Sequence, residues 1–257
     1  MNLKENEKIV LSLLDTFKEA GNISLDLRKK GLKTKIKSDN TPVTNADLEV
    51  NNILTSTISS LTPNIPIVSE ENSANKNNKN LKDFWLIDPI DGTNDFINNR
   101  DEFTINAALI INKKPVLGII NAPGKKRLFF SYGPSNSFEL LKNEKIKLID
   151  NKKERNNIIK AVTYSNSLKP EVLKFHQKFR VDEFQKMKSS LKFCVVASSE
   201  FDLYVAEPRA CEWDIAAGHA ILIHAGGVVT DFNENEILYG KENFRNPSII
   251  LKSKNIL

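Results

Sequence analysis

One ten-residue segment of the sequence, 85–94 (Trp-Leu-Ile-Asp-Pro-Ile-Asp-Gly-Thr-Asn), concentrates the residues that could do chemistry. Its apolar start predicts a buried strand that ends on Asp88, because the proline that follows disfavours a helical conformation at the residue before it. Asp91 lies three residues further on, and Gly92 and Thr93 begin a predicted helix. Carboxylate oxygens bind hard divalent cations, and free N–H groups at the start of a helix bind phosphate. The segment therefore predicts metal-assisted phosphoryl chemistry.

Two further carboxylates stand where other predicted elements begin or end. Glu70 follows a short predicted strand at 65–68, and Asp214 lies in the first turn of a predicted helix at 213–225. Each acidic residue taken alone has an ordinary explanation, such as an Asx turn, a favourable helix dipole or simple solvation. Considered together after the 85–94 segment, they favour a shared metal site under the usual criteria for an active site.

The N-terminal part of the sequence predicts two helices. Apolar residues from Ile9 to Phe17 recur at helical spacing and predict an amphipathic helix of about four turns. A second helix is predicted to begin after Thr44 as its N-cap, with Asp47 three residues further on. This spacing matches a capping box, so the residues alone explain Asp47 as structural.

Composition excludes several classes of protein. The net charge is +5, but the 37 basic residues are spread along the chain without an Arg-rich patch, so nucleic-acid binding is not predicted. A positive background does favour a small, highly anionic substrate. No stretch approaches the length of a transmembrane segment. The two cysteines, Cys194 and Cys211, are too few for a disulfide framework and suggest free thiols in the cytoplasm.

The order of predicted elements indicates an α+β protein built in layers. Runs rich in β-formers at 103–111 and 115–121 predict a hairpin in an antiparallel sheet, and strands and helices mix in the second half. The segment 142–157 is rich in Lys, Asn and Glu and predicts a boundary between two lobes. We therefore expect an N-terminal α+β lobe at 1–150 with the main metal site, and a C-terminal α/β lobe at 151–257 that supplies Asp214 and substrate contacts.

Other catalytic and metal-binding motifs do not fit this sequence. A calcium loop placed on Gly92 lacks the acidic residues at its first and third positions, and the glycine spacing after Gly118 is one residue too long for a phosphate loop. His176, His219 and His224 lack the spacing of a zinc pair.

Several segments together resemble the inositol monophosphatase superfamily of metal-dependent phosphatases. They are residues 37–47, 68–71, 85–96 and Glu212-Trp213-Asp214-Ile-Ala-Ala-Gly. Within that superfamily, residues 100–110, 189–194 and 243–247 are most similar to 3'(2'),5'-bisphosphate nucleotidases of the CysQ type. The resemblance extends over nearly the whole chain and implies a layered α/β/α/β/α sandwich of the inositol monophosphatase and sugar phosphatase type.

The resemblance also implies a role for individual residues. It gives as ligands of two or three Mg²⁺ ions the side chains of Glu70, Asp88, Asp91 and Asp214 and the carbonyl group of Ile90. Asp47 and Thr93 match a water-activating pair. The implied substrate-binding residues are Gly92, Thr93, Ser189, Lys192, Arg209 and Asp214.

The activity implied is Mg²⁺-dependent hydrolysis of a small anionic phosphate ester, the 3'-phosphate of 3'-phosphoadenosine 5'-phosphate, to give AMP. The sequence differs from the family pattern at three places: 163–166 replaces a segment that usually carries Arg and His, Ala206 replaces an Arg, and Lys188 replaces a glycine. The alternatives are an inositol or other sugar monophosphatase and a phosphonucleotide-binding protein without turnover. The protein is expected to be a monomer or a homodimer.

Overall fold

The computed structural model describes residues 2–71, 74–77, 81–141, 144–151 and 158–256. The helices are α1 (Leu3–Lys30), α2 (Asn45–Leu61), α3 (Thr93–Ile97), α4 (Pro170–Lys178), α5 (Leu191–Ala197) and α6 (Glu212–His224). The strands are β1 (Thr34–Ile36), β2 (Pro42–Thr44), β3 (Ile67–Ser69), β4 (Phe84–Asp91), β5 (Thr104–Ile111), β6 (Lys114–Ala122), β7 (Arg127–Gly133), β8 (Asn136–Leu141), β9 (Glu144–Lys147), β10 (Lys160–Thr163), β11 (Glu183–Lys186), β12 (Leu203–Ala206), β13 (Val228–Thr230) and β14 (Ile249–Lys252). Short 3₁₀ turns lie at Ala74–Asn77, Pro123–Lys125, Leu148–Asp150, Glu242–Phe244 and Lys254–Ile256.

A seven-stranded sheet forms the first half of the molecule, in the strand order β3-β4-β5-β6-β7-β8-β9. β3 and β4 run parallel, and the remaining neighbours are antiparallel. Helices α1 and α2 cover one face of this sheet, where the apolar side chains of Val10, Leu13, Phe17, Val50 and Leu54 are fully buried. The predicted antiparallel hairpin at 103–121 is confirmed as β5 and β6.

A five-stranded sheet in the order β11-β10-β12-β14-β13 forms the second half. Helices α5 and α6 lie between the two sheets, within a core that contains side chains from β4, β5 and β6 as well as from β12 and β14. Helix α4 packs against the other face of the five-stranded sheet through Val172. The layers are therefore helix, sheet, helix, sheet, helix, which confirms the predicted α/β/α/β/α sandwich.

The two predicted N-terminal helices are present, but the first is much longer than predicted. Helix α1 has 28 residues because a capping box between Asn2 and Glu5 begins it well before Ile9, and its buried face continues through Ala20 and Ser24. Helix α2 begins after Thr44, which is its N-cap, as predicted. No helix of the described residues is long and apolar enough to span a membrane.

The predicted boundary between the lobes 1–150 and 151–257 stays a prediction. Of the segment 142–157 that suggested it, residues 142, 143 and 152–157 lie outside the described residues. The core between the sheets takes side chains from both halves of the chain.

Helix α6 lies close against the seven-stranded sheet at Gly118 in β6. A Cβ atom at Gly118 would lie 2.4 Å from the carbonyl oxygen of Ala217 and 2.9 Å from its Cα atom. Since both of these are backbone atoms, a side chain at this position can be accommodated only if the helix moves. The glycine therefore fixes how closely α6, which carries Asp214, lies on the sheet.

We predict that Gly118→Ala lowers the free energy of unfolding by about 1–3 kcal/mol, as expected for overpacking of a close contact. Chemical denaturation measures the change. Ser59→Ala on the exposed side of α2 is the control and should change stability by less than about 0.5 kcal/mol. A Gly118→Ala variant as stable as the control would show that α6 does not depend on this contact.

Candidate active site

Three predicted metal ligands converge where the parallel pair β3 and β4 meets the start of α6. Glu70 follows β3 directly, and Asp88 lies in the neighbouring strand one residue beyond the last β3–β4 pair, Ser69 with Ile87. Asp214 is the third residue of α6, and its carboxylate accepts a hydrogen bond from the backbone N–H of Cys211 at 2.7 Å. One carboxylate oxygen from each of Glu70, Asp88 and Asp214 lies within 4.8 Å of the other two.

The sequence predicted that strand β4 ends at Asp88, but the strand continues to Asp91. Its pairing with β5 shifts between Asp88 and Asp91. Pro89 has no N–H group to donate to the ladder, which explains why the regular pairing is interrupted here. Thr93 then begins the short helix α3, as predicted, after Gly92 in a left-handed conformation with φ of 93°.

Electrostatics within this cluster are unfavourable unless a cation binds. Burial and the neighbouring charge of Glu70 raise the pKa of Asp88 well above its usual range, and burial together with Asp91 does the same to Asp214. The Oδ1 atom of Asp88 is buried and has no hydrogen-bond partner among the described residues. Clustered anionic oxygens with an orphaned acceptor match the ligand chemistry of Mg²⁺, so the residues fit the predicted metal.

Ser190, the residue immediately before α5, holds Asp91 beside the cluster of Glu70, Asp88 and Asp214. Its Oδ2 atom accepts hydrogen bonds from the backbone N–H of Ser190 at 2.5 Å and from the Ser190 hydroxyl at 2.6 Å. These bonds fix one oxygen of Asp91, and its pKa is raised by burial. The role of Ser190 was not predicted, and its position immediately before α5 was the only sequence signal.

A lysine that the sequence analysis did not single out pairs with the cluster. The Lys37 ammonium lies 2.7 Å from Glu70 and 3.0 Å from Glu71. A second lysine, Lys76, donates to the backbone carbonyl of Glu70 and lies 5.1 Å from the ring centroid of Trp213. An incoming cation therefore competes with Lys37 for Glu70.

The predicted water-activating pair is also assembled. The Thr93 hydroxyl lies 3.2 Å from Oδ1 of Asp47 and 3.0 Å from the carbonyl oxygen of Ile90. The other oxygen of Asp47 accepts hydrogen bonds from the backbone N–H of Thr44 at 2.8 Å and from its hydroxyl at 2.5 Å. Asp47 thus completes the capping box of α2 with one oxygen and accepts a hydrogen bond from Thr93 with the other, so its structural role leaves the predicted catalytic role open.

A pocket of about 220 Å³ extends from the carboxylates of Asp91 and Asp214 to the second sheet. Asp91, Gly92 and Asp214 line it on one side, and the remaining predicted substrate contacts, Ser189, Lys192 and Arg209, line it too. The structure thus brings five of the six predicted substrate-binding residues around one cavity. The sixth, Thr93, follows Gly92 in the chain and does not line the cavity.

Lys192 is the buried cation of this pocket. Its ammonium donates to the backbone carbonyl of Ser189 and lies 5.5 Å from the ring centroid of Tyr204. Burial, together with the nearby positive charges of Arg209 and Lys188, lowers its pKa to about 8, whereas Asp91 opposes the shift. Converging cations in a partly buried site create a positive potential that favours an anionic group.

Comparison with known proteins gives relatives along nearly the whole chain. The model of the inositol monophosphatase family matches residues 5–255. The 3'(2'),5'-bisphosphate nucleotidase CysQ of Buchnera aphidicola is 36% identical over 240 residues, which are 90% of this chain and 88% of the relative. CysQ of Aggregatibacter actinomycetemcomitans is 31% identical over 247 residues, which are 95% of this chain and 92% of the relative.

Solved structures agree with the sequence relatives. The crystal structure of CysQ from Bacteroides thetaiotaomicron superposes with a TM-score of 0.78 at 28% identity and covers 98% of this chain and 99% of that chain. A dual specific IMPase/NADP phosphatase bound with D-inositol-1-phosphate shares the fold, with a TM-score of 0.77 at 18% identity over 99% of this chain and 92% of that chain. On this evidence, the chain belongs to the inositol monophosphatase family.

Proposed function

We propose that this protein is a 3'(2'),5'-bisphosphate nucleotidase that hydrolyses the 3'-phosphate of 3'-phosphoadenosine 5'-phosphate to AMP and phosphate. The observation that supports this most directly is a pocket that joins the carboxylates of Asp91 and Asp214 to a second, cationic region around Lys192 and Arg209. A substrate with two separated phosphates can use both regions, and the CysQ relatives carry the name of this activity. We further propose that the protein is a monomer or a homodimer and that it is located in the cytoplasm.

Magnesium is the proposed cofactor, and members of the inositol monophosphatase family are generally Mg²⁺-dependent. We assign two or three Mg²⁺ ions to the carboxylates of Glu70, Asp88, Asp91 and Asp214 and to the carbonyl group of Ile90. When bound, these ions supply Lewis-acid stabilisation of the phosphate oxygens and make water a stronger nucleophile. Their charge also offsets the repulsion that raises the pKa of Asp88 and Asp214.

Thr93 and Asp47 orient the attacking water in this proposal. The Thr93 hydroxyl donates its proton towards Asp47 or the carbonyl of Ile90, so its lone pairs remain available to accept a hydrogen bond from water. Asp47 is held on its other side by Thr44, and burial raises its pKa, which makes the carboxylate a better proton acceptor. The pair thus aims the water and takes up its proton.

The remaining residues hold the substrate. The backbone N–H groups of Gly92 and Thr93 are assigned to oxygens of the phosphate that is cleaved. Ser189, Lys192 and Arg209 are assigned to the nucleoside side, where Lys192 and Arg209 neutralise the 5'-phosphate. Arginine binds such a group bidentately, which fixes its orientation as well as its charge.

We predict that Asp91→Asn and Asp214→Asn each lower kcat/KM at least ~100-fold, because each removes a charge that binds or orients Mg²⁺. Phosphate release from 3'-phosphoadenosine 5'-phosphate in saturating Mg²⁺ measures the loss. Asp15→Asn is the matched control, since the Asp15 side chain is 95% exposed on α1.

A second readout shows that the loss is electrostatic and not due to unfolding. In EDTA, Asp214→Asn should unfold at a higher temperature than the wild type, because it relieves repulsion among buried carboxylates. An active Asp91→Asn or Asp214→Asn variant would contradict the assignment of that residue to the metal site.

We predict that Thr93→Ala lowers kcat strongly and leaves KM within about threefold, because an interaction that aims the water acts mainly in the transition state. Steady-state kinetics separate the two constants. Thr57→Ala is the matched control, since Thr57 is also a helical threonine and, among the described residues, its hydroxyl bonds only the backbone carbonyl of Ile53, at 3.0 Å. If Thr93→Ala raised KM alone, Thr93 would be a binding residue instead.

We predict that kcat/KM for 3'-phosphoadenosine 5'-phosphate exceeds that for inositol 1-phosphate at least ~10-fold, which corresponds to about 1.4 kcal/mol. Lys192→Ala should reduce the preference, because only the nucleotide brings a second phosphate to Lys192. Lys186→Ala is the control, since Lys186 is exposed on β11. A wild-type preference for the inositol ester, or equal losses on both substrates, would instead indicate a sugar monophosphatase.

A further inference from the structure

The outer wall of the pocket is built where two parallel strands end side by side. Tyr164 follows β10 directly, and Glu207 follows β12 directly. These strands are parallel neighbours in the five-stranded sheet, with Val162 paired to Tyr204. Their carboxyl ends therefore place Tyr164 and Glu207 at the same edge of the sheet, and Arg209 lies two residues after Glu207.

Contacts at this edge form a continuous chain. The Arg209 guanidinium carbon lies 3.8 Å from the ring centroid of Tyr164. The Tyr164 hydroxyl donates to both oxygens of Glu207, at 2.9 and 2.7 Å. Lys169, immediately before α4, lies 3.0 Å from the same carboxylate. We refer to Tyr164, Glu207 and Lys169 as the clasp.

The clasp leaves the N–H groups at the edge of the Arg209 guanidinium available to bind an anion. Among the described residues, Arg209 has no hydrogen-bond or ion-pair partner, although the Glu207 carboxylate is only two residues away. The Glu207 carboxylate is bonded to Tyr164 and Lys169, and among the described residues it forms no ion pair with Arg209. An arginine stacked by its face keeps its N–H groups directed outward in the ring plane, where they can bind an anion.

The protonation states of the clasp support this arrangement. Burial and the bond to Glu207 raise the pKa of Tyr164 to about 12. Burial alone would raise the pKa of Glu207, but the Tyr164 hydroxyl and the Lys169 ammonium lower it below its ordinary value. At neutral pH the phenol therefore remains a donor and the carboxylate an acceptor.

We propose that Tyr164, held by Glu207, is a positioning residue that orients Arg209 towards the second phosphate of a bisphosphate substrate and so determines the preference for two phosphates over one. This inference rests on the proposed function and adds Tyr164 and Glu207 to the residues that decide substrate choice. Preorganising a flexible arginine side chain lowers the entropy that is lost when the phosphate binds. The Tyr164 ring itself needs no contact with the substrate.

The test compares 3'-phosphoadenosine 5'-phosphate with 3'-AMP, which lacks the second phosphate. Tyr164→Leu should raise KM for the bisphosphate about tenfold, leave kcat within about twofold and leave KM for 3'-AMP within about twofold. Arg209→Ala should have the same effect. Because Tyr164 acts through Arg209, the double variant should be no worse than Arg209→Ala alone.

Two further variants separate the ring from the hydroxyl and control for general damage. Tyr164→Phe keeps the ring under Arg209 but loses the bond to Glu207, so its KM for the bisphosphate should lie between those of the wild type and Tyr164→Leu. Tyr132→Phe is the matched control, because the Tyr132 hydroxyl also bonds a glutamate, Glu7, but lies on the seven-stranded sheet. It should leave both KM values unchanged.

A binding experiment tests the positioning role of Tyr164 independently of turnover. Calorimetry without divalent cations should show AMP binding the wild type and binding Tyr164→Leu and Arg209→Ala about tenfold more weakly. Wild-type protein that binds AMP but does not hydrolyse the bisphosphate would contradict only the proposed function. A Tyr164→Leu variant that keeps wild-type affinity for AMP, equal losses on 3'-AMP, or additive effects in the double variant would overturn the positioning role.

Discussion

The constraint on which the site depends is the burial of several carboxylates close together. Glu70, Asp88 and Asp214 place oxygens within 4.8 Å of one another, in surroundings that raise the pKa of both aspartates. Such an arrangement is unfavourable in a bare protein and is compensated by cations. Lys37 supplies one positive charge at 2.7 Å from Glu70, and the proposed Mg²⁺ ions supply the rest. A site selected only for stability would not keep this repulsion.

The fold tolerates this repulsion because each carboxylate is attached to a rigid element. Glu70 and Asp88 belong to a parallel pair of strands at the edge of an otherwise antiparallel sheet, and Asp214 lies in the first turn of a helix that is packed directly on that sheet. The close approach of α6 at Gly118 and the bonds from Ser190 to Asp91 leave little freedom for the acidic groups to separate. Catalytic metal sites need this rigidity, since small displacements of a ligand weaken both binding and orientation.

In the function that we propose, substrate choice depends on the second sheet. The anionic cluster is contributed mainly by the first sheet, whereas Tyr164, Glu207 and Arg209 follow strands of the other. The pocket is lined from both sides, so the proposal assigns the chemistry and the recognition of a second phosphate to different parts of the chain. This separation explains how related proteins can share a metal centre and differ in the ester they hydrolyse.

The sequence alone predicted the metal chemistry, because Asp88 and Asp91 stand beside Pro89 and Gly92, and these two residues determine the local backbone conformation. It also predicted the layered α+β class and the capping of α2 by Thr44, which depend on periodicity and on contacts three residues apart. It did not predict the length of α1, the continuation of β4 to Asp91, or the contacts of Ser190 and Lys37. The length of α1 was missed although the capping box between Asn2 and Glu5 that begins this helix is a local signal. Only the tertiary structure decided the others, and the stacking of Arg209 on Tyr164, because they join residues that are distant in the chain or depend on strand pairing, which local patterns do not encode.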